Sequence, residues 1–207
     1  MDWSIVVLAL GVLVLVFAAY YTQAILRNAG GTMEASVTRE GFAIKLSTQE
    51  RHLALGDMRV ASAEKGVPAD DEKVSASLRG VGELRVARAL WVDDNPAGNV
   101  HERRMLERLH VKFDLARSSE EALAYLIGRR YQLIVTDLTR PDETGAENCR
   151  AGLEFLRLLS GAPAVPPILV YAGLIDDRAS EARRYGARTV TAIPSELLQA
   201  AVDVLRS

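Results

Sequence analysis

Three carboxylates stand where a chain would place them to hold a hard cation. Asp93 and Asp94 end the apolar run "VARALWV", and Asp137 ends "YQLIVT". Neighbouring carboxylates at the end of a buried run are costly unless they meet water, a cation or a proton. Oxygen-only donors suit Mg²⁺, which keeps several waters and takes one or two carboxylates from the protein. Other reactive groups give little. Cys149 is the single cysteine, and none of the three histidines, His52, His101 and His110, is near it in sequence. Neither a disulfide nor a cysteine-based metal site is expected, and a reducing compartment fits. With no Gly-rich phosphate loop, no nucleophile–histidine pair and no metal-spaced histidine cluster, enzymatic chemistry is not expected. The net charge of −2 and the lack of a Lys/Arg tract speak against nucleic acid as a partner.

The elements that must position these carboxylates follow from periodicity. From Val86 onward strand and helix signals alternate. "VARALWV", "VKFDLA", "YQLIVTD", "PPILVYAG" and "TVTAI" read as strands. Between and after them, "GNVHERRMLERLH", "SSEEALAYLIGRR", "GLEFLRLL", "DDRASEARRYG" and "SELLQAAVDVLR" read as helices. The last carries Leu197, Leu198, Ala201, Val202 and Leu205 on one stripe, and Ser118 with Glu121 offers a capping box. Five strands alternating with five helices predict an α/β fold, a doubly wound five-stranded parallel sheet whose working crevice lies beyond the carboxyl ends of its strands. Asp93, Asp94 and Asp137 all converge there.

The N-terminal part differs. Trp3 to Leu26 holds no charged residue, and about 24 residues at about 1.5 Å each reach about 36 Å, enough for a hydrocarbon core near 30 Å. Trp3, Tyr20 and Tyr21 sit where interfacial anchors belong. The stretch predicts a retained transmembrane anchor over residues 1–27, touching the membrane through 3–26. Arg27, Arg39, Lys45 and Arg51 follow it while Asp2 precedes it, which predicts a single-pass protein of the cell inner membrane with the C-terminal domain cytoplasmic. Residues 28–66 read as a β-hairpin turning at "REG" and then a helix opened by a Ser47–Glu50 capping box. Too small to be stable alone, this segment must pack on the following domain or on copies of itself, so a homo-oligomer is one expectation. Residues 67–85 read as a linker with at most one more helical turn, ahead of a domain over 86–207.

The ordered acidic residues, with Pro141 four places beyond Asp137, "GLEFLRLL" and "GARTVTAIP" down to Pro194, resemble the receiver domain of bacterial response regulators across Val86–Ser207. The resemblance implies a flavodoxin-like receiver fold with two-component signalling as its context. It implies Asp137 as the phosphoacceptor and Mg²⁺ held by Asp93, Asp94, Asp137 and the backbone carbonyl near Thr139.

The departures from the family pattern are as informative. Ala172 stands where the family has Thr or Ser, Ile193 where it has Lys, and Val190 near its aromatic switch position. An insertion lengthens the loop over 142–151. The two missing groups grip the phosphoryl oxygens in the family; at about 1.5–3 kcal/mol each they would supply about 3–6 kcal/mol. A switch from 1:99 to 99:1 takes about 5.5 kcal/mol. Ile193 beside the acidic trio suggests a partly closed pocket; Arg140, three residues past Asp137, is only a minor candidate to replace the missing lysine, since one nearby arginine arises easily by chance. The leading expectation is therefore a membrane-anchored pseudo-receiver, a protein-interaction module without normal phospho-switching, using the last two helices' region and the fifth strand. A working phosphoacceptor receiver and a nucleotide-binding or enzymatic effector remain as alternatives.

Overall fold

A computed structural model describes residues 35–38, 41–81, 83–141, 147–173 and 177–206. The expected anchor over 3–26 lies outside the described residues, and no helix among those described is long and apolar enough to cross a membrane. Residues 35–207 form one compact unit.

Short strands β1 (Ala35–Thr38) and β2 (Gly41–Ile44) pair antiparallel as the hairpin pattern predicts, with Val37 opposite Phe42. Helix α1 (Thr48–Lys65) opens with the full capping box, in which the Ser47 hydroxyl accepts from the Glu50 backbone N–H and the Glu50 carboxylate from Ser47. It stops at Gly66, whose φ of 66° suits the left-handed conformation that a residue with a Cβ adopts at a cost. The expected linker over 67–85 proves to be structured. Asp70 caps helix α2 (Asp71–Arg79), and β3 (Leu84–Arg85) adds a third strand beside β2. The physical reason is the spacing of Val74 and Leu78, one turn apart and both 1% exposed, which gives the charged stretch an apolar stripe.

The main sheet comprises β4 (Ala87–Val92), β5 (Val111–Ala116), β6 (Leu133–Thr136), β9 (Ile168–Tyr171) and β10 (Ala187–Thr191). Its order is β10-β9-β6-β4-β5, every pair parallel. Counted along the chain this is 2-1-3-4-5, the doubly wound order with its switch point between first and third strands. The inner strands β6 and β9 are buried at every position, and β4 at all but Arg88, as continuous apolar runs require when both faces are covered. Helices α3 (Val100–Glu107, preceded by a 3₁₀ turn at Pro96–Asn99), α4 (Ser119–Gly128), α5 (Ala151–Leu159), α6 (Arg178–Arg184) and α7 (Pro194–Leu205) supply that cover. The whole expected stripe of α7 is buried.

The added N-terminal segment is part of this core. Leu46, Ala54, Met58, Val74, Leu78 and Leu84 share one apolar cluster with Trp91, Met105, Leu197 and Val202. α1 and α2 therefore cover α3 and α7, and the other face of the sheet packs against α4, α5 and α6. Of the loop over 142–151, residues 142–146 lie outside the described residues. Its flanks, β7 (Arg140–Pro141) and β8 (Glu147–Asn148), pair antiparallel as the stem of a hairpin.

Candidate functional site

Because β4 and β6 are neighbours at the switch point, the residues that follow them emerge side by side. Asp93, Asp94 and Asp137 can each bring one carboxylate oxygen within 4.8 Å of the others. Asp93 is the buried member, 5% exposed, and it is well held. It accepts hydrogen bonds from the Trp91 indole N–H at 3.3 Å, the Asn95 backbone N–H at 2.8 Å and the Asn99 Nδ2 at 2.5 Å. Such donors make a buried carboxylate tolerable without a metal.

Asp137 has a different partner. The Arg140 guanidinium lies against it, Nη1 to Oδ1 at 2.6 Å, and Arg140 is itself only 2% exposed. The same Nη1 is 2.9 Å from Thr136 Oγ1, Nη2 is 2.9 Å from Ser119 Oγ, and the guanidinium lies over the Phe155 ring at 5.8 Å. Burial pushes the Asp137 carboxyl up to about 7; Arg140 works against the rise, and Asp93 and Asp94 add to it. The expected pH effect follows in sign. A carboxyl that holds its proton more tightly folded than unfolded stabilises the fold fully below the ordinary carboxylate range, and the contribution is lost as pH rises through about 7. Denaturant titrations should show wild-type stability declining between about pH 4 and 7, with the decline absent from Asp137→Asn. An equal decline in both proteins would contradict the assignment to Asp137.

Cations also enter from elements outside the acidic strand ends. A cavity of about 150 Å³ is lined by Asp93, Asn99, Asp137, Thr139, Lys65 and Arg178, among others. Lys65, the last residue of α1, places Nζ 3.0 Å from Asn99 Oδ1. Arg178, at the start of α6, donates from Nη1 to Thr139 Oγ1 at 3.0 Å and to the Cys149 carbonyl at 2.5 Å. Ala172 lines the same cavity, where its methyl group offers no hydrogen bond. Ile193 does not. It lines a separate cavity with Pro68, Asp70 and Lys73, so the expectation that it closes the acidic pocket is corrected. The reason is that β10 ends at Thr191 and residue 193 already serves as the N-cap of α7, facing the α1–α2 connection. Val190 is buried in the strand.

Periodicity located the carboxylates but missed Lys65, Asn99 and Arg178. No local pattern marks them, since each arrives by tertiary packing. Behind Lys65, Glu102 is fully buried and accepts from the Tyr171 hydroxyl at 2.7 Å. Burial and that carboxylate hold the Tyr171 hydroxyl well above the usual phenol range.

Strand order, with acidic residues beyond the first and third strands, defines a flavodoxin-like doubly wound α/β domain. Among solved structures, the chain is similar to a response-regulator receiver domain from Bermanella marisrubri. The two are 26% identical with a TM-score of 0.49, over 58% of this chain and 98% of that one. It is also similar to a CheY-like receiver domain protein from Methanospirillum hungatei (21% identity, TM-score 0.49, 58% and 94%) and to CheY4 of Vibrio cholerae (22%, 0.47, 58% and 98%). No family model and no curated protein matches the sequence.

Proposed function

We propose that the protein is a signalling interaction module of receiver architecture in which the acidic crevice is not worked as a phospho-switch, and that it acts by binding a protein partner rather than as an enzyme. The observation that carries this reading is the pairing of the buried Arg140 with the half-buried Asp137. Attack on a phosphoryl donor needs an ionised carboxylate with a free oxygen and a cation that neutralises the incoming charge. Here Arg140 engages Oδ1, and burial leaves much of the carboxyl protonated near neutrality. Ala172 offers nothing to grip a phosphoryl oxygen.

The three carboxylates suit Mg²⁺ as an oxygen-only donor set. Asp94 and the second oxygen of Asp137 would hold it, with Asp93 and the carbonyl near Thr139 beside them. Bound there, the ion would neutralise charge at the crevice, and Arg140 is its competitor for Asp137. Since α1 and α2 cover α3 and α7, the surface proposed for a partner narrows to α6 and β10. Attachment to a membrane through residues 3–26, with this domain cytoplasmic, completes the reading; it rests on the uncharged run and the basic residues after it.

A working phosphoacceptor is the second reading, favoured by Lys65 and Arg178 lining the same cavity as Asp137. One experiment separates the two. Beryllofluoride with Mg²⁺, or acetyl phosphate, is titrated into the full chain and followed by methyl NMR. The interaction module gives shifts confined to the crevice residues. Shifts spreading from Asp137 through β9 to β10, with saturation, would establish the second reading instead.

A further inference from the structure

The main sheet has a second end, opposite the acidic crevice, where its strands begin and α4, α5 and α6 finish. Two clusters of exposed cations stand there. On one side Arg88 and Lys112, register partners near the starts of β4 and β5, stand with Arg129 and Arg130, which follow the last turn of α4. Arg88 and Arg129 share one carboxylate, Asp114, at 2.9 and 3.0 Å, so it offsets only one of these charges. On the other side Arg183 and Arg184 close α6, and Arg188 lies near the start of β10. Cations in a last helical turn answer the helix dipole. Arg88, Lys112 and Arg188 lie on strands, where no dipole calls for them.

Between the clusters the chain is uncharged. β9 lies between β10 and β6, so the loop that feeds it, "SGAPAVPP" over 160–167, emerges in the middle of this end. Ala162, Pro163 and Ala164 are exposed, and the loop walls a cavity of about 400 Å³ together with Tyr185 and Arg188. Ile127, in the last turn of α4 beside Arg129 and Arg130, is 90% exposed. Apolar groups flanked by cations suit the headgroup layer of an anionic bilayer, where each basic side chain meets negative surface potential and the apolar groups leave water. A single-stranded nucleic acid would stack its bases on exposed aromatic rings. At this end Tyr131 is buried and Tyr185 half-buried.

We propose that this end of the sheet is a docking surface for anionic phospholipid, with the two arginine clusters against the headgroups and the 160–167 loop and Ile127 entering between them. Docked so, the domain turns its crevice, and the crevice-side parts of α6 and β10, toward solvent and any partner there. The inference stands on the described domain alone and holds whether or not residues 3–26 span a bilayer.

An environment-sensitive fluorophore on Ala162→Cys, in the full chain with Cys149→Ser, reads the contact directly. Vesicles of phosphatidylcholine with phosphatidylserine should shift its emission to the blue. Phosphatidylcholine alone should not, and added salt should reverse the shift. The same label on Ala97→Cys, at the crevice end, should not respond. Arg130→Gln/Arg183→Gln/Arg184→Gln should weaken docking by about a hundredfold, at about fivefold per charge near the surface, and so abolish the shift at the same lipid composition. Lys73→Gln/Arg117→Gln/Arg150→Gln removes as much charge from exposed side chains at the crevice end and should leave the shift intact. Flotation with phosphatidylcholine vesicles reports separately on residues 3–26, so a failure of that attachment is not a failure of the docking surface. No shift with phosphatidylserine, an equal shift at both label positions or with both lipids, or a shift with duplex DNA in place of vesicles would overturn the proposal.

Discussion

Arg140→Met should lower the free energy of unfolding by about 3–5 kcal/mol and the melting temperature by roughly 6–20 °C. The side chain it removes is 2% exposed and bonded to Asp137, Thr136 and Ser119, so methionine fills much of the volume and none of the electrostatics. The cost comes less from the lost attraction than from what stays behind, a half-buried carboxylate with no counter-ion. Two consequences distinguish this from simple packing loss. The double variant Arg140→Met/Asp137→Leu should recover much of the deficit, because both charges are then gone. The single variant's deficit should also shrink in acid. Without the guanidinium, the Asp137 carboxyl keeps its proton to still higher pH. Near pH 4 it is then neutral in the folded chain and no charge is stranded; at pH 8 the carboxyl must either hold its proton against the solvent or stand charged without a counter-ion, so the deficit is larger there. Chemical denaturation at the two pH values checks it. A deficit below about 1 kcal/mol, the same at both, would mean that the pair is in effect a solvated surface contact.

On the proposed reading, such a pair bears on function because it sets a tethered cation where a mobile one would compete. A divalent cation exchanges with solvent and makes the charge of the crevice conditional. A guanidinium fixed by Thr136, Ser119 and the face of Phe155 makes that charge permanent. This is why the interaction reading is preferred although the acidic trio is complete. It also explains how Asp137 stays half-buried beside two other carboxylates.

The α/β order was legible because its signals are local. β4, β6 and β9 are unbroken apolar runs, and α7 carries its stripe at helical spacing. Ser47 and Glu50 mark the start of α1 by their own side chains. The carboxylates were legible for the same reason, each standing at a strand's end. What failed to show depends on partners distant in sequence. α2 was hidden by charge, its apolar content being little more than Val74 and Leu78, and β3 exists as two residues only because β2 offers an edge. Lys65 reaches Asn99 across the packing of α1 on α3, which no periodicity encodes. Ile193 shows the limit of position-matching: it follows a strand end, as a crevice residue would, yet the chain has already turned into α7.

Gly152→Ala should be the most damaging single methyl group in the site's vicinity, costing about 3 kcal/mol or more. Gly152 lies in the first turn of α5, and its N–H donates to the Leu138 carbonyl at 3.1 Å. A Cβ there would stand 2.2 Å from the Asp137 carbonyl oxygen and 2.6 Å from Leu138 Cα. Both are backbone atoms, so no rotamer change relieves the clash, and helix or turn must retreat by about an ångström. The turn that retreats carries Asp137, with Arg140 three residues on, so the variant should also disturb their 2.6 Å contact and quicken amide exchange around residues 137–141. Gly161→Ala, where the added methyl meets nothing within 4 Å, supplies the control and should fall within about 0.5 kcal/mol of wild type. Thermal melts of the two variants decide the matter. If they are equally stable, α5 does not press on the Asp137 turn.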